Sequence, residues 1–182
     1  RVWDVDYEWV KGRFVDKTFM EKSGIPVSRW FDGVLEDKAN LDQPNNVQAM
    51  VFWGHAPNSQ TRGPDMKRAM EKLELLLVVD PHPTVTAILS DRTDGVYLLP
   101  STTQMECAGS VTASNRSLQW REQVIEPRFE SKTDHEIMYL FAQKFGYANE
   151  LFKHIKVEGT VPLIEDILRE INRGTWTIGY TG

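Results

Sequence analysis

Polar and small side chains follow three short apolar runs of this sequence, at the point where each run ends. In chain order they are Gly54, His55, Asn58, Ser59, Asp80, His82, Thr86, Pro100 and Ser101. A glycine allows a ligand to approach the backbone closely, and amides at the start of a helix bind phosphate. A carboxylate at the end of a strand can bind a ribose or a base. If the runs are parallel strands, these residues meet at one edge of the sheet and could bind one nucleotide-like ligand.

Each of these signals is weak by itself, and other interpretations stay open. The sequence contains neither a GxGxxG fingerprint nor a GxxxxGK[ST] phosphate loop. Asp80, which precedes two prolines, is also typical of a turn at a strand end. His55 and His82 are more typical of hydrogen-bonded loop residues than of metal ligands, because no second histidine lies at metal-ligand spacing. A Gly-x-Ser-x-Gly elbow is also absent, so the sequence predicts neither a catalytic residue nor a metal ligand.

The spacing of apolar residues places the candidate residues in an α/β unit. Residues 47–53 form a mostly apolar run of strand length, and residues 75–79 form a second run that stops at Asp80. Between them, apolar residues recur at helical spacing after Gly63-Pro64-Asp65. Strand, helix and strand within about 35 residues predict parallel strands joined by a right-handed crossover. Residues 96–99 predict a third short strand, which ends at Pro100.

The rest of the chain divides by composition and periodicity. Residues 1–46 are rich in aromatic residues but broken by glycine and proline, so we expect them to be irregular and to pack on a neighbouring part. Residues 109–120 predict an irregular loop or a hairpin. Thr133 and Glu136 form a capping box that predicts a helix ending at Gly146. A last helix is expected from Pro162 to Gly174. We therefore distinguish segments 1–46, 47–130 and 131–182.

Composition limits the classes of function. At 182 residues and 20.9 kDa the chain is long enough for one or two domains. Twenty-one Lys+Arg against 26 Asp+Glu give a formal charge of -5, which argues against a nucleic-acid partner. Apolar runs fall far below the roughly 18 residues of a membrane-spanning helix. Because the sequence begins with Arg1 and ends in a turn-like string, we expect it to be a piece of a longer protein.

The single cysteine restricts the cofactors that this chain could hold alone. Cys107 has no second cysteine with which to form an internal disulfide. One thiol also cannot make a Cys-rich zinc site or hold an iron–sulfur cluster. Cys107 is therefore more typical of a small buried side chain than of a reactive thiol.

Taken in order, the motifs of the sequence resemble those of the molybdopterin oxidoreductases. They are Gly54-x-x-Pro57, Asp80-x-x-x-Thr84-x-Thr86-Ala87, Leu98-Leu99-Pro100-Ser101 and Glu106-x-x-Gly109. Within that family, Ala113-Ser114-Asn115-Arg116-Ser117-Leu118-Gln119 and Val124-Ile125-Glu126-Pro127 are similar to the large (alpha) subunit of membrane-associated respiratory formate dehydrogenases. The resemblance covers nearly the whole chain.

The resemblance implies a Rossmann-like parallel sheet with flanking helices, part of the formate dehydrogenase/DMSO reductase fold. Residues 47–130 would be a half-domain that binds the guanine-nucleotide end of molybdopterin guanine dinucleotide, and residues 131–182 a helical part packing on it. In the family, two such cofactors hold molybdenum or tungsten. The cofactor-binding residues implied are Gly54, His55, Asn58, Ser59, Asp80, His82, Thr86 and Asn115. The loop at 54–59 would face the diphosphate or ribose, Asp80 and Thr86 the nucleoside, and Asn115 would help to read guanine.

Two departures from the family pattern affect these expectations. Ala56 stands where the wider family often has Asn or Asp, so that contact is lost or passes to Asn58. Asp94-Gly95 replaces the usual Ala-Asp before the third strand, which makes the shape of that connection uncertain. The family's iron–sulfur cluster, its selenocysteine or cysteine metal ligand and the histidine and arginine of the formate site belong to segments that this sequence lacks. The chain alone is therefore expected to be inactive.

The whole enzyme implied by the resemblance oxidises formate to carbon dioxide and passes on two electrons in anaerobic respiration. Its partners would be the remainder of the catalytic subunit, an iron–sulfur electron-transfer subunit and a membrane cytochrome subunit. The expected location is the periplasm, as a soluble domain of a membrane-associated complex. Two alternatives stay open: a free-standing nucleotide- or flavin-binding α/β protein, and a non-catalytic interaction module whose residues 1–46 cover a partner surface.

Overall fold

A computed structural model describes residues 2–55, 62–115 and 117–174 of the chain. The helices and strands are, in chain order, α1 (Tyr7–Lys11), α2 (Trp30–Leu35), β1 (Ala49–Trp53), α3 (Gly63–Lys72), β2 (Leu75–Asp80), α4 (Val85–Ile88), β3 (Val96–Pro100), β4 (Gly109–Thr112), β5 (Leu118–Arg121), α5 (Asp134–Phe145), α6 (Ala148–Leu151), β6 (Val157–Glu158), β7 (Val161–Pro162) and α7 (Ile164–Gly174). The chain forms two compact units, one of residues 23–101 and one of residues 1–22 with 102–182.

The unit of residues 23–101 is built on a parallel three-stranded sheet of order β1-β2-β3. Val51 pairs with Leu77, and Leu77 pairs in turn with Tyr97, so the strands are in register along their whole length. The strand–helix–strand unit predicted from the apolar spacing is confirmed, with β1 beginning at Ala49 instead of residue 47. The coarse expectation of an α/β fold with a parallel sheet is therefore confirmed.

Helices α2 and α3 cover one face of this sheet and close the core. The buried residues of this core are Trp30, Phe31, Val34, Phe52, Met66, Ala69, Met70, Leu73, Leu76 and Val78. Helix α3 has Pro64 and Asp65 in its first turn and Lys72 in its last. Proline fits the first turn because amides there have no partner within the helix. The charges of Asp65 and Lys72 are favourable to the helix dipole. Trp30 and Phe31 of the first segment pack on the neighbouring sheet, as expected. The segment is not irregular throughout, because these two residues begin helix α2 and residues 7–11 form α1.

The second unit contains a hairpin and the longest helix. Strands β4 and β5 pair antiparallel. The sequence predicted an irregular loop or a hairpin here, and the structure has the hairpin. Thr133 Oγ1 accepts from the Glu136 amide at 3.3 Å to begin α5, which ends at Gly146 with a φ of 78°. In a capping box the Glu136 carboxylate would also accept from the Thr133 amide. Here it accepts instead from Lys132 Nζ and Thr160 Oγ1.

One predicted boundary is wrong. The last helix begins at Ile164 and not at Pro162, because Val161–Pro162 pairs with Val157–Glu158 as a short antiparallel strand. Within the described residues, no helix is both long and apolar enough to cross a lipid bilayer. The functional segments 1–46, 47–130 and 131–182 stay predictions, since the compactness of a unit does not test the role of a segment.

Candidate functional site

The carboxyl edge of the parallel sheet brings the ends of the three strands side by side. Asp80 at the end of β2 pairs with Pro100 at the end of β3. The Gly54 amide donates to the Val79 carbonyl at 2.9 Å, and the Ser101 amide donates to the Asp80 carbonyl at 3.3 Å. The first residues of the loops after β1 and β3 are therefore tied to the middle strand, at the edge where open parallel sheets bind ligands.

Gly54 has a left-handed backbone at the end of β1. Its φ is +57°, and a Cβ built on it would meet no atom of the described residues within 4 Å. A side chain here would cost about 1–2 kcal/mol because of the left-handed backbone conformation. Since the Gly54 amide hydrogen is used within the sheet, this residue offers close approach to a ligand and not a hydrogen-bond donor.

Asp80 has the turn-forming role that its sequence context suggests, and its role in ligand binding stays a prediction. Its Oδ1 accepts from the His82 amide at 3.2 Å, which is the turn-forming role. Its Oδ2 has no hydrogen-bond partner among the described residues, so this oxygen can accept from a ligand. The His82 side chain is exposed beside it.

The two threonines of the loop after β2 have different surroundings. Thr86 is fully buried, and its hydroxyl donates to the His55 carbonyl at 2.9 Å, which ties this loop to the loop after β1. Thr84 Oγ1 is buried with no partner in the described part of the chain, and although Thr84 precedes α4 it makes no capping bond. An unpaired buried hydroxyl costs about 1–3 kcal/mol. Thr84, rather than Thr86, therefore has a side-chain group without a hydrogen-bond partner among the residues described.

Thr84 was not among the residues predicted from the sequence, although it stands in the Asp80-x-x-x-Thr84-x-Thr86 motif. Both threonines of the motif have the same side chain, and the sequence does not show which of the two hydroxyls is hydrogen-bonded. The distinction depends on the approach of His55, which lies 31 residues away along the chain.

His55 continues the aromatic packing of the core toward the sheet edge. Its ring lies parallel to the ring of Phe52, with 6.2 Å between centroids and 5° between planes. Phe52 is buried, while His55 is exposed. Stacking on the buried Phe52 thus holds the histidine ring at the end of β1.

The remaining predicted residues are Asn58, Ser59 and Asn115. Asn58 and Ser59 lie outside the described residues. Asn115 belongs to the other compact unit, where its Oδ1 accepts from the amide of Ser117 at 3.2 Å and from its hydroxyl at 2.7 Å. Asn115 therefore stabilises the turn between β4 and β5, and its reading of guanine stays a prediction.

Cys107 and Glu106 lie together in the second unit, away from the strand ends in sequence. Cys107 lines a cavity of about 350 Å³ in the second unit, and its thiol donates to the Thr103 carbonyl at 3.6 Å. Glu106 beside it is buried and accepts from the amide and hydroxyl of Thr103, and the amide bond lowers the pKa of Glu106 most. Among the described residues, no group of three His, Cys, Asp or Glu side chains could hold a metal ion.

A family model for molybdopterin oxidoreductases matches residues 31–144, a range that contains the whole parallel sheet and its edge. The chain belongs to the molybdopterin oxidoreductase family. This membership implies a molybdopterin cofactor with molybdenum.

Named relatives within this family carry out different reactions. The chain is 30% identical over 167 residues to a trimethylamine-N-oxide reductase of Vibrio cholerae, an alignment that covers 85% of this chain and 19% of that protein. It is 37% identical over 102 residues to formate dehydrogenase H of Escherichia coli, covering 56% of this chain and 14% of that protein. The chain therefore spans less than a fifth of the length of either molybdopterin oxidoreductase.

Proposed function

We propose that the carboxyl edge of the parallel sheet holds the nucleotide end of a molybdopterin cofactor in an oxidoreductase longer than this chain. The observation that carries the proposal is a combination of groups in and after the strand ends. Within the described residues, Gly54 has an open backbone, and Asp80 Oδ2 and Thr84 Oγ1 have no hydrogen-bond partner. These groups fit a polar, hydrogen-bonding ligand that approaches the backbone closely. Family membership favours this role over a flavin-binding protein or an interaction module.

The chemistry of the free groups suits a guanine nucleotide. Asp80 Oδ2 can only accept when ionised, so it pairs with ribose hydroxyls or with the N1–H and N2–H₂ of guanine. Thr84 can both donate and accept through its one hydroxyl. We therefore propose the guanine dinucleotide form of the cofactor, bound by a Rossmann-like half of the formate dehydrogenase/DMSO reductase fold.

In the bound state the molybdopterin cofactor would supply a metal that exchanges electrons with the substrate. The residues of this chain would bind and orient the nucleotide end, and none of them is assigned a chemical step. Because the metal ligand and the substrate groups would belong to other segments, the chain by itself is proposed to be inactive.

For the reaction of the whole enzyme we propose formate oxidation to carbon dioxide. The support is the set of motifs at 113–119 and 124–127 and the 37% identity to formate dehydrogenase H. The electron-transfer and cytochrome subunits, the iron–sulfur cluster and the periplasmic location belong to this proposal.

A second candidate is the reduction of trimethylamine N-oxide. It is favoured by the longer alignment to the Vibrio cholerae reductase, which covers 85% of this chain against 56% for the formate enzyme. The two candidates differ in the direction of electron flow, because formate donates electrons and an amine oxide accepts them. An assay of the intact enzyme with formate and an oxidised dye, and with trimethylamine N-oxide and a reduced dye, separates them.

The cofactor-binding proposal predicts that Asp80→Ala and Thr84→Val lower the nucleotide retained by the intact enzyme. We expect about a tenfold loss for each, since a hydrogen bond to a charged group or an orphaned buried hydroxyl corresponds to roughly one such factor. Nucleotide and molybdenum are counted per purified protein molecule. Asp91→Asn is the matched control, because Asp91 is an exposed carboxylate whose contact is a surface ion pair with Lys67 at 2.7 Å. Full retention in both edge variants would contradict the proposal.

A further inference from the structure

Arg62 is held in an unusual backbone conformation at the start of α3. It is the N-cap residue of this ten-residue helix and has φ 64° and ψ 45°, in the left-handed region that side chains disfavour. Its Nε donates to Asp65 Oδ2 at 2.7 Å, and its Nη1 lies 3.0 Å from Asp32 Oδ1. Its guanidinium also lies over the Phe31 ring, 4.4 Å from the centroid. We call these four residues the Arg62 clamp.

Asp32 stays ionised over the neutral pH range, which keeps its ion pair with Arg62. It lies in the first turn of α2 and exposes only 9% of its side chain. A hydrogen bond from Arg29 Nε at 2.7 Å, assisted by the charge of Arg62, holds the pKa of Asp32 below its ordinary value. The buried carboxylate is therefore ionised and requires its cationic partners. The starts of α2 and α3 are thereby joined by side chains 30 residues apart.

An unbroken series of packed rings links the clamp to the proposed nucleotide site. Phe31 packs edge-on against Trp30 at 5.8 Å, and Trp30 packs edge-on against Phe52 at 5.6 Å. Phe52 lies parallel to His55 at 6.2 Å, and the His55 carbonyl accepts from the Thr86 hydroxyl. The first three rings belong to the buried core, which transmits displacements because it is closely packed.

We propose that Arg62 is a positioning residue for cofactor binding, which fixes the start of α3 and, through Phe31, Trp30 and Phe52, the placement of His55 at the sheet edge. This inference rests on the proposed function, since it concerns the same nucleotide site. The reason for assigning Arg62 this role is its left-handed backbone conformation. A non-glycine residue keeps a left-handed conformation only where its surroundings over-determine it, and such strain clusters at functional sites. Without the guanidinium, residue 62 relaxes, the Phe31 ring loses its cover, and Asp32 loses one of two cationic partners.

The test compares Arg62 with a neighbouring arginine in the intact, cofactor-loaded enzyme. Arg68 also pairs with Asp65, but it has no contact with Asp32 or Phe31 and is 65% exposed. We expect Arg62→Ala and Arg62→Lys to lower nucleotide and molybdenum content about tenfold, which corresponds to the loss of one charge-assisted bond, and Arg68→Ala to leave the content unchanged. The turnover per bound molybdenum should stay at the wild-type value, because Arg62 acts on binding and not on the reaction.

Arg62→Gly keeps the inference testable if Arg62→Ala fails to fold. Glycine accepts the left-handed conformation without strain, so this variant should melt above Arg62→Ala and still lose more cofactor than Arg68→Ala. Wild-type content in Arg62→Gly, an equal loss in Arg68→Ala, or a fall in turnover per bound molybdenum would overturn the inference. A wild-type enzyme that contains no nucleotide would instead overturn the proposed function, so the two failures are distinguishable.

Discussion

At the scale of single residues, the fold depends on the left-handed backbone of Gly95 and on the burial of His135. Gly95, just before β3, has a φ of +63°, and a Cβ on it would fall against the Glu74 carbonyl and the Arg92 guanidinium. Its own carbonyl accepts from the Leu76 amide at 2.7 Å, which joins the connection to β2. Asp94-Gly95, where the sequence departs from the family pattern, thus includes a position that only glycine fits.

Gly95→Ala is expected to lower the free energy of unfolding by about 2–3 kcal/mol. The left-handed backbone contributes about 1–2 kcal/mol, and the contact with the Glu74 carbonyl adds to it. Urea denaturation followed by circular dichroism measures the change. Gly24→Ala is the control in the same unit, because a Cβ on Gly24 meets no atom within 4 Å and its φ is not positive. A loss at Gly95 no larger than at Gly24 would contradict the structural account.

His135, in the first turn of α5, makes folding sensitive to pH near neutrality. Burial lowers the pKa of His135, and the charges of Asp134 and Glu136 oppose this only in part. The unfolded chain therefore binds a proton at His135 more readily than the folded chain does. Stability from this residue is complete above the unfolded value of about 6.5 and declines as the pH falls below it.

The His135→Gln variant should therefore lose less stability than the wild type when the pH is lowered from about 8 to about 5. The measurement is the free energy of unfolding from urea titrations at several pH values. His82→Gln serves as the control for the loss of an imidazole, because the His82 side chain is exposed. Parallel curves for wild type and His135→Gln would show that burial of this imidazole does not govern the slope.

At the scale of elements, helix ends are set by side chains that the sequence makes visible. The start of α5 was predicted because Thr133 can accept from an amide three residues on, and the structure contains that bond at 3.3 Å. The start of α7 was misplaced because Pro162, a typical first residue of a helix, here pairs in β7 with Val157. A helix signal was thus overridden by a strand contact that propensity does not encode.

Thr133→Ala should destabilise α5 by about 1 kcal/mol, the usual value of an N-cap hydroxyl. The melting temperature of the protein and the helical circular dichroism signal report the loss. Thr133→Ser retains the capping oxygen and should recover most of the stability. If serine and alanine variants are equally destabilised, the methyl group and not the cap would be responsible.

At the scale of the whole molecule, two compact units divide the chain, and each has its own secondary structure and packing. The sheet edge with Asp80 and Thr84 belongs to the unit of residues 23–101, while Asn115 belongs to the other. The proposed enzyme is much longer than this chain, since the chain spans only 19% of the Vibrio cholerae relative.

Leu76→Ala is expected to lower hydrogen-exchange protection throughout residues 23–55 and 62–101 and to leave α5 nearly unchanged. Leu76 is fully buried in the middle strand, and such truncations cost about 2–5 kcal/mol. Local stability is shared within cooperative units, so the loss should stop at the unit boundary. Leu98→Ala is the control, because Leu98 is 49% exposed on β3. An equal loss of protection in α5 would mean that both units unfold as one.

The sequence by itself determined the strand–helix–strand unit, because apolar spacing reflects burial directly and needs no distant partner. It also carried the ordered motifs that resemble the molybdopterin oxidoreductases, a family membership that the match to residues 31–144 confirms. Only the tertiary structure decided which threonine of the loop lacks a partner, and that Arg62 is bound to Asp32. Both facts depend on side chains about 30 residues apart in sequence meeting in space, and local propensity contains no information about such meetings.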